Sequence, residues 1–271
     1  NISLTPFDNG HLAEREFLNK LFMIFGEGVV FLILIIIGAA YILRSFRREI
    51  QLARRQQNFL LSITHELKTP ISTIKLYLQT LLKRDLDEVK KKEAIDTMLD
   101  ENERLYSLVG KMLLAAKMED STFSLSKEKV NVSSLVLKIA ARLRSNHLLI
   151  ETNLDDNVEM NIDSEAIDTA LSNLIDNAIK YSAEKILVSL TQTGKQIVLS
   201  VADDGQGIAD EEKERIFQRF YRVGSEDTRK TKGTGLGLYI VKTLVEMHNG
   251  VISVSNNSSK GSIFAIQFNV D

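Results

Sequence analysis

The sequence predicts a multidomain chain of α and α/β parts: one apolar span, an antiparallel helical hairpin, then an α/β sandwich. Three observations predict it. Residues 21–43 read LFMIFGEGVVFLILIIIGAAYIL, with Glu27 as the only charge. Two long segments then carry apolar residues at steps of three and four, the spacing of a helix face. From about Lys127 onward, strand-length apolar runs alternate with two helical ones.

Twenty-three residues at ~1.5 Å each reach roughly 34 Å, enough to cross about 30 Å of hydrocarbon. The uncharged run 28–43 has no polar face for a soluble helix. A signal peptide would carry its basic residues before the apolar run. Here the order is reversed. Residues 44–57 hold five arginines against one glutamate, and residues 1–27 hold four acids against two bases. The basic flank is expected on the cytoplasmic face. The expectation is therefore a membrane protein, N-terminus outside, with everything after Arg44 on the cytoplasmic side. The chain begins with Asn1, so we read it as a fragment. Its formal net charge of −2 gives no reason to expect nucleic acid, and it has no cysteine, which excludes disulfides and thiolate metal sites.

The expected organisation is an extracytoplasmic end at 1–20, a transmembrane helix at 21–43, a juxtamembrane linker at 44–58, a helical domain at 59–122 and an α/β domain at 127–271. Between Ser45 and Lys83 there is no glycine, and Pro70 is the only proline. Leu60, Ile63, Leu67, Ile71, Ile74, Leu78 and Leu81 form one stripe; Ile95, Met98, Asn102, Leu105, Val109, Met112 and Ala116 form a second. The connector KRDLDEVKKKE between them predicts an antiparallel hairpin. Two copies pairing as a four-helix bundle would cover its apolar surface, so a homodimer is expected.

Within THELKTP (64–70), His65 lies two residues from both Ile63 and Leu67, about 160° from each around the helix, and should face solvent. Glu66 could take a proton from one ring nitrogen and leave the other free to attack. Pro70 should bend the helix close by. A zinc site of the HExxH type fails, because Thr69 stands where the second histidine is needed. A solvated surface histidine and a group-accepting nucleophile remain open from these residues alone.

The α/β part offers strands near 147–153, 158–162, 185–191, 196–203, 251–256 and 262–270, expected to be antiparallel with helices on one face. Its helices are expected at 163–182 and 235–248. On the first, Asn173, Asn177, Lys180 and Tyr181 fall within about 100° of arc, opposite an apolar face. Carboxamide oxygens suit Mg²⁺, a lysine suits phosphate and a tyrosine can stack on a base. In VADDGQGI (201–208), Asp203 could accept the exocyclic amine of adenine, while Gly205 and Gly207 let backbone approach a ligand. Residues 209–232 have the length of a lid, with Phe217 and Phe220 in IFQRFYR as anchors to the domain. GTGLGL (233–238) opens the last helix, offering free N–H groups to phosphates.

Together these segments closely resemble the sensor histidine kinases of bacterial two-component systems. THELKTP resembles the H box, SNLIDNAIKYS (172–182) the N box, DDGQGI the G1 box, IFQRFYR the F box and GTGLGL the G2 box, in the family order over about residues 50–271. The resemblance implies a dimeric helical domain and a Bergerat-type ATP-binding domain of the GHKL class. It implies His65 as phosphoacceptor, Glu66 as general base and Thr69 as an aid to dephosphorylating a response regulator. Asn177, assisted by Asn173, would bind Mg²⁺; Lys180 and Arg222 would contact phosphates; Tyr181 and Asp203 would hold adenine. Gly233, Gly235 and Gly237, with Thr234 and Leu236 between them, would line the phosphates under the lid. The implied partners are ATP, Mg²⁺, a second copy and an aspartate on a response regulator. A non-catalytic nucleotide-sensing receptor, or another ATPase of the same fold, is the alternative. The fifteen or so residues of 44–58 are too few for the HAMP linker of many relatives.

Overall fold

The computed structural model describes residues 8–120, 122–143, 149–181, 184–223, 233–257 and 260–269. Parts of the expected outer segment (1–7), strand start (147–148), helix end (182) and lid (224–232) lie outside them. The chain divides into two units, Asn1–Gln56 and Gln57–Asp271.

The described residues of the first unit lie in helix α1 (Asp8–Lys83). An 18-residue window there has a mean hydropathy of 2.7 and no buried residue. Among the described residues it is the one helix long and apolar enough to cross a membrane.

In the second unit α1 continues to Lys83 with Pro70 inside it. Pro70 has no N–H to give the Glu66 carbonyl. Side-chain hydroxyls on either side bond back along the helix: Thr69 to the His65 carbonyl at 3.2 Å and Thr73 to the Thr69 carbonyl at 3.1 Å. Helix α2 (Glu88–Lys117) starts earlier than the connector KRDLDEVKKKE suggests. Asp87 caps it, accepting from the Lys90 N–H at 2.8 Å, so the lysine run is helical and the loop shrinks to 84–87. The hairpin leaves Leu60, Ile71, Leu78, Ile95, Leu99 and Val109 exposed.

The α/β part contains β1 (Glu128–Asn131), α3 (Val132–Leu143), β2 (Leu149–Leu154), β3 (Glu159–Ile162), α4 (Ser164–Lys180), β4 (Lys185–Thr193), β5 (Gln196–Asp203), α5 (Gly237–Met247), β6 (Val251–Asn256) and β7 (Ser262–Asn269). The main sheet has the order β2-β4-β5-β7-β6, with β1 and β3 as a separate antiparallel pair. The expectation of purely antiparallel strands is corrected: β2 pairs parallel with β4. The chain between them passes through β3 and α4, the crossover a parallel pair requires. The expectation also lacked β1 and α3. Alternate residues of the central strands, such as Val188, Leu199, Val201, Phe264 and Ile266, are buried. They share one core with Val136 and Ile139 of α3, Leu171 and Leu174 of α4, and Ile240 and Leu244 of α5. Burying one such side chain contributes about 2 kcal/mol, which fixes the helices on that face of the sheet.

Two polar nodes tie the helix ends. Arg142 of α3 forks onto Asp168 of α4 at 2.9 and 2.5 Å and holds that carboxyl below the usual carboxylate range. Buried His248, just past α5, donates from Nδ1 to the Leu244 carbonyl at 2.7 Å and accepts the Asp163 N–H on Nε2 at 3.0 Å. That pattern needs the neutral imidazole. Burial pushes its pKa below 6.5, and nearby Lys127 adds to this, against the Leu244 carbonyl and Asp163. Below about pH 6.5 the unfolded chain takes up a proton that the folded state resists, so this contribution is present above 6.5 and lost as pH falls. A thermal-melting series from about pH 7.5 to 5.5 should show a falling midpoint, with a shallower fall in His248→Gln.

Candidate functional site

A cavity of about 740 Å³ opens between the hairpin and the α/β domain. Helix α4 supplies Asn173, Asn177 and Lys180 to its lining and Tyr181 as its C-cap, the end of β5 supplies Asp203, and the segment after it Gly207. Arg222, Gly233, Thr234, Gly235 and Gly237 complete that side. The hairpin contributes Glu66 from α1 and Arg104, Ser107, Leu108 and Lys111 from α2. Segments far apart in sequence are thus brought to one place.

The carboxamide face of α4 is built by helical spacing, because Leu171, Leu174, Ile175 and Ala178 are fully buried opposite. Asn173 is buried, with Nδ2 donating to the Thr169 carbonyl at 2.8 Å, so its Oδ1 is the atom left for a ligand. A Cβ on Gly237 would stand 3.2 Å from that oxygen.

Asp203 is buried, and its Oδ1 accepts the N–H groups of Gly205 at 2.9 Å and Ser262 at 3.1 Å. The anchored carboxylate keeps Oδ2 for a ligand. A Cβ on Gly205 would meet the Tyr181 carbonyl at 2.8 Å, which explains a glycine there better than ligand approach does. Gly235 has φ +71°, and a Cβ would meet the Tyr221 carbonyl oxygen at 2.8 Å and the Phe220 carbonyl carbon at 2.9 Å.

Lys180 sits in a field of like charge. Taken whole, the residue is exposed. Its ammonium, however, lies so close to Gly233 that a Cβ there would collide with Nζ. Its pKa is lowered to about 8, first by desolvation and then by Arg222, with Lys111 and Arg104 adding to the depression and Glu66 opposing it. A cavity crowded with cations is built for a polyanion. A polyphosphate entering it should raise the Lys180 pKa, so binding near pH 8 takes up about half a proton and weakens as pH rises further. Calorimetry in two buffers of different ionisation enthalpy measures this, and Lys180→Met should remove the uptake.

Some expected residues lie elsewhere. His65 is exposed on α1, outside the cavity lining. Phe217 is buried in the domain, edge-on to Phe264 at 6.4 Å. Phe220, expected to anchor the lid to its own domain, packs against that domain's core and also meets Phe59 of α1 with ring centroids 3.9 Å apart. Its backbone is left-handed at φ +63°, and its N–H donates to the Gly235 carbonyl at 3.1 Å. Leu236 is core, so only its backbone could meet a ligand.

Sequence reading missed several groups. Arg104 and Lys111, with Ser107 and Leu108, fall at i, i+3, i+4 and i+7 on α2, a spacing that was available. Ser62 donates to the Gly233 carbonyl at 3.0 Å and accepts from Arg222 Nη1 at 3.0 Å, joining α1 to residues 222 and 233. Gly261, at φ +99°, packs directly on Asp203.

Residues 55–121 match the His Kinase A (phospho-acceptor) domain, and residues 162–271 match the histidine kinase-, DNA gyrase B- and HSP90-like ATPases. Sensor protein SrrB of Staphylococcus aureus (strain N315) is 32% identical over 239 residues, covering 85% of this chain. The chain spans 41% of that relative's length. The structure of Acinetobacter baumannii histidine kinase AdeS aligns with a TM-score of 0.56 at 29% identity, over 76% of this chain and 98% of that one. Histidine kinase ThkA, solved in complex with response regulator protein TrrA, aligns at a TM-score of 0.57 over 77% of this chain and 60% of that one. At 24% identity it speaks for the fold alone. With a phospho-acceptor domain followed by an ATPase domain, and a sensor protein similar to it over 85% of its length, the chain belongs to the bacterial two-component sensor histidine kinases.

Proposed function

We propose that this chain carries the kinase portion of a membrane sensor, which moves the terminal phosphoryl group of ATP to His65 and then to an aspartate of a response regulator. One observation carries the reading: Glu66, next to His65, faces the same cavity as Asn177, Lys180, Arg222 and Gly233.

In the proposed step a His65 nitrogen lone pair forms the N–P bond as the bond from the γ-phosphorus to the β–γ bridging oxygen breaks. ADP leaves, and Glu66 accepts the proton of the other ring nitrogen. Asp203 and Tyr181 would hold the adenine, and Lys180 and Arg222 the phosphates. Gly233, Thr234, Gly235 and Gly237 offer backbone at the foot of α5. Asn177, with the Oδ1 of Asn173, would hold Mg²⁺, which screens phosphate charge when bound. For dephosphorylation of the regulator, Thr69 would have to turn from the His65 carbonyl and position a water.

The exposed apolar residues of the hairpin suit a second copy, paired as a four-helix bundle. The apolar part of α1 would span the inner membrane, with its arginine-rich flank in the cytoplasm. Purified chain incubated with γ-radiolabelled ATP and magnesium should acquire label that acid removes and base does not. Nucleotide binding without any such label would instead favour a non-catalytic nucleotide sensor.

A further inference from the structure

The base assigned above is already occupied. Glu66 Oε2 accepts from Arg104 Nη2 at 3.0 Å across the hairpin, and the Glu66 side chain is only 12% exposed. Arg104 has little else to hold: its second nitrogen stands 3.8 Å from Glu101. His65, one residue away, makes no hydrogen bond with Glu66 among the described residues. Both members of the pair line the cavity that also holds Lys180 and Asn177. A guanidinium offers the same fork to a phosphate as to a carboxylate, and a phosphate carries more charge.

We propose that the Glu66–Arg104 pair is an exchange switch, in which the terminal phosphate of ATP takes the Arg104 guanidinium and releases Glu66 to serve His65. The inference rests on the nucleotide reading of the cavity and makes Arg104 a positioning residue that reads the third phosphate. Charge is conserved in the exchange: Arg104 stays cationic and trades one oxyanion for another, and Glu66 stays a carboxylate until it accepts the imidazole proton. ADP, with no third phosphate, leaves the pair closed.

Calorimetric titration of the whole chain with ADP and with a non-hydrolysable ATP analogue, magnesium present, tests this without relying on turnover. Glu66→Gln removes the competitor, so it should tighten the analogue about fivefold and leave ADP unchanged. Arg104→Gln should weaken the analogue about tenfold, again sparing ADP. In the Arg104→Gln background, Glu66→Gln should have no further effect on the analogue. Arg104→Lys, which keeps charge but loses the fork, should fall between parent and Arg104→Gln and guards against a folding defect in the latter. Equal effects on both nucleotides, or additive effects in the double variant, would overturn the switch. Failure of the parent chain to bind either nucleotide would overturn the nucleotide reading, and the switch with it.

Discussion

Gly261→Ala is expected to destabilise the α/β domain by about 4 kcal/mol and to abolish measurable nucleotide binding. Gly261 has φ +99°, and an added Cβ would lie 2.1 Å from the Asp203 carbonyl oxygen and 2.8 Å from its Oδ1. Neither contact can be relieved by rotating a long side chain, because one partner is backbone and the other is pinned by two N–H groups. Left-handed strain adds about 1–2 kcal/mol to the overlap. The melting midpoint should drop by roughly 10 °C. Gly194→Ala is the control: its φ is +61° but its Cβ meets nothing within 4 Å, so only the strain remains. If Gly261→Ala melts within about 2 °C of the parent, the tight packing on Asp203 is not what holds this turn.

His65→Gln should remove all acid-labile label while leaving nucleotide affinity within about twofold of the parent. The two effects separate because His65 is exposed on α1 and does not line the cavity, so its loss leaves Lys180, Asn177 and Asp203 in place. Persistence of histidine-type label in the variant would move the acceptor to one of the other three histidines. Of these, His248 is buried with both ring nitrogens engaged, which makes it a poor acceptor.

Much of this architecture was legible because its signals are local. The α4 face follows from 3.6-residue periodicity, and the observed helix differs from expectation by a residue or two at its ends. The outward placement of His65 came from the same arithmetic. What escaped depends on tertiary neighbours. β1 and α3 are short and adjoin with no breaker between them, since Asn131, the last strand residue, also caps the helix by accepting the Ser134 N–H at 2.8 Å. The parallel pairing of β2 is decided by what lies between the strands and not by their composition. Phe220 was read correctly as an anchor, but its partner Phe59 lies far back along the chain. The Glu66–Arg104 pair likewise joins residues 38 apart, and no spacing rule links them.

The Asp163 node has a mechanical consequence. Ser126 donates its N–H to Asp163 Oδ2 at 2.9 Å, and the Lys127 ammonium reaches the Met247 carbonyl at 2.9 Å. The chain leaving α2 is therefore fastened to the α/β domain by residue 126. Residues 118–125 join α2 to that point, with Glu119 paired to Arg219 and Leu125 packed on the core, and released from those contacts they reach roughly 28 Å at full extension. A leash that short keeps the nucleotide at millimolar effective concentration for a histidine on its own assembly. A histidine-bearing peptide added in solution would have to be supplied at comparable concentration to divert phosphate, and glycine–serine insertions after Met118 should erode that advantage as they lengthen the leash.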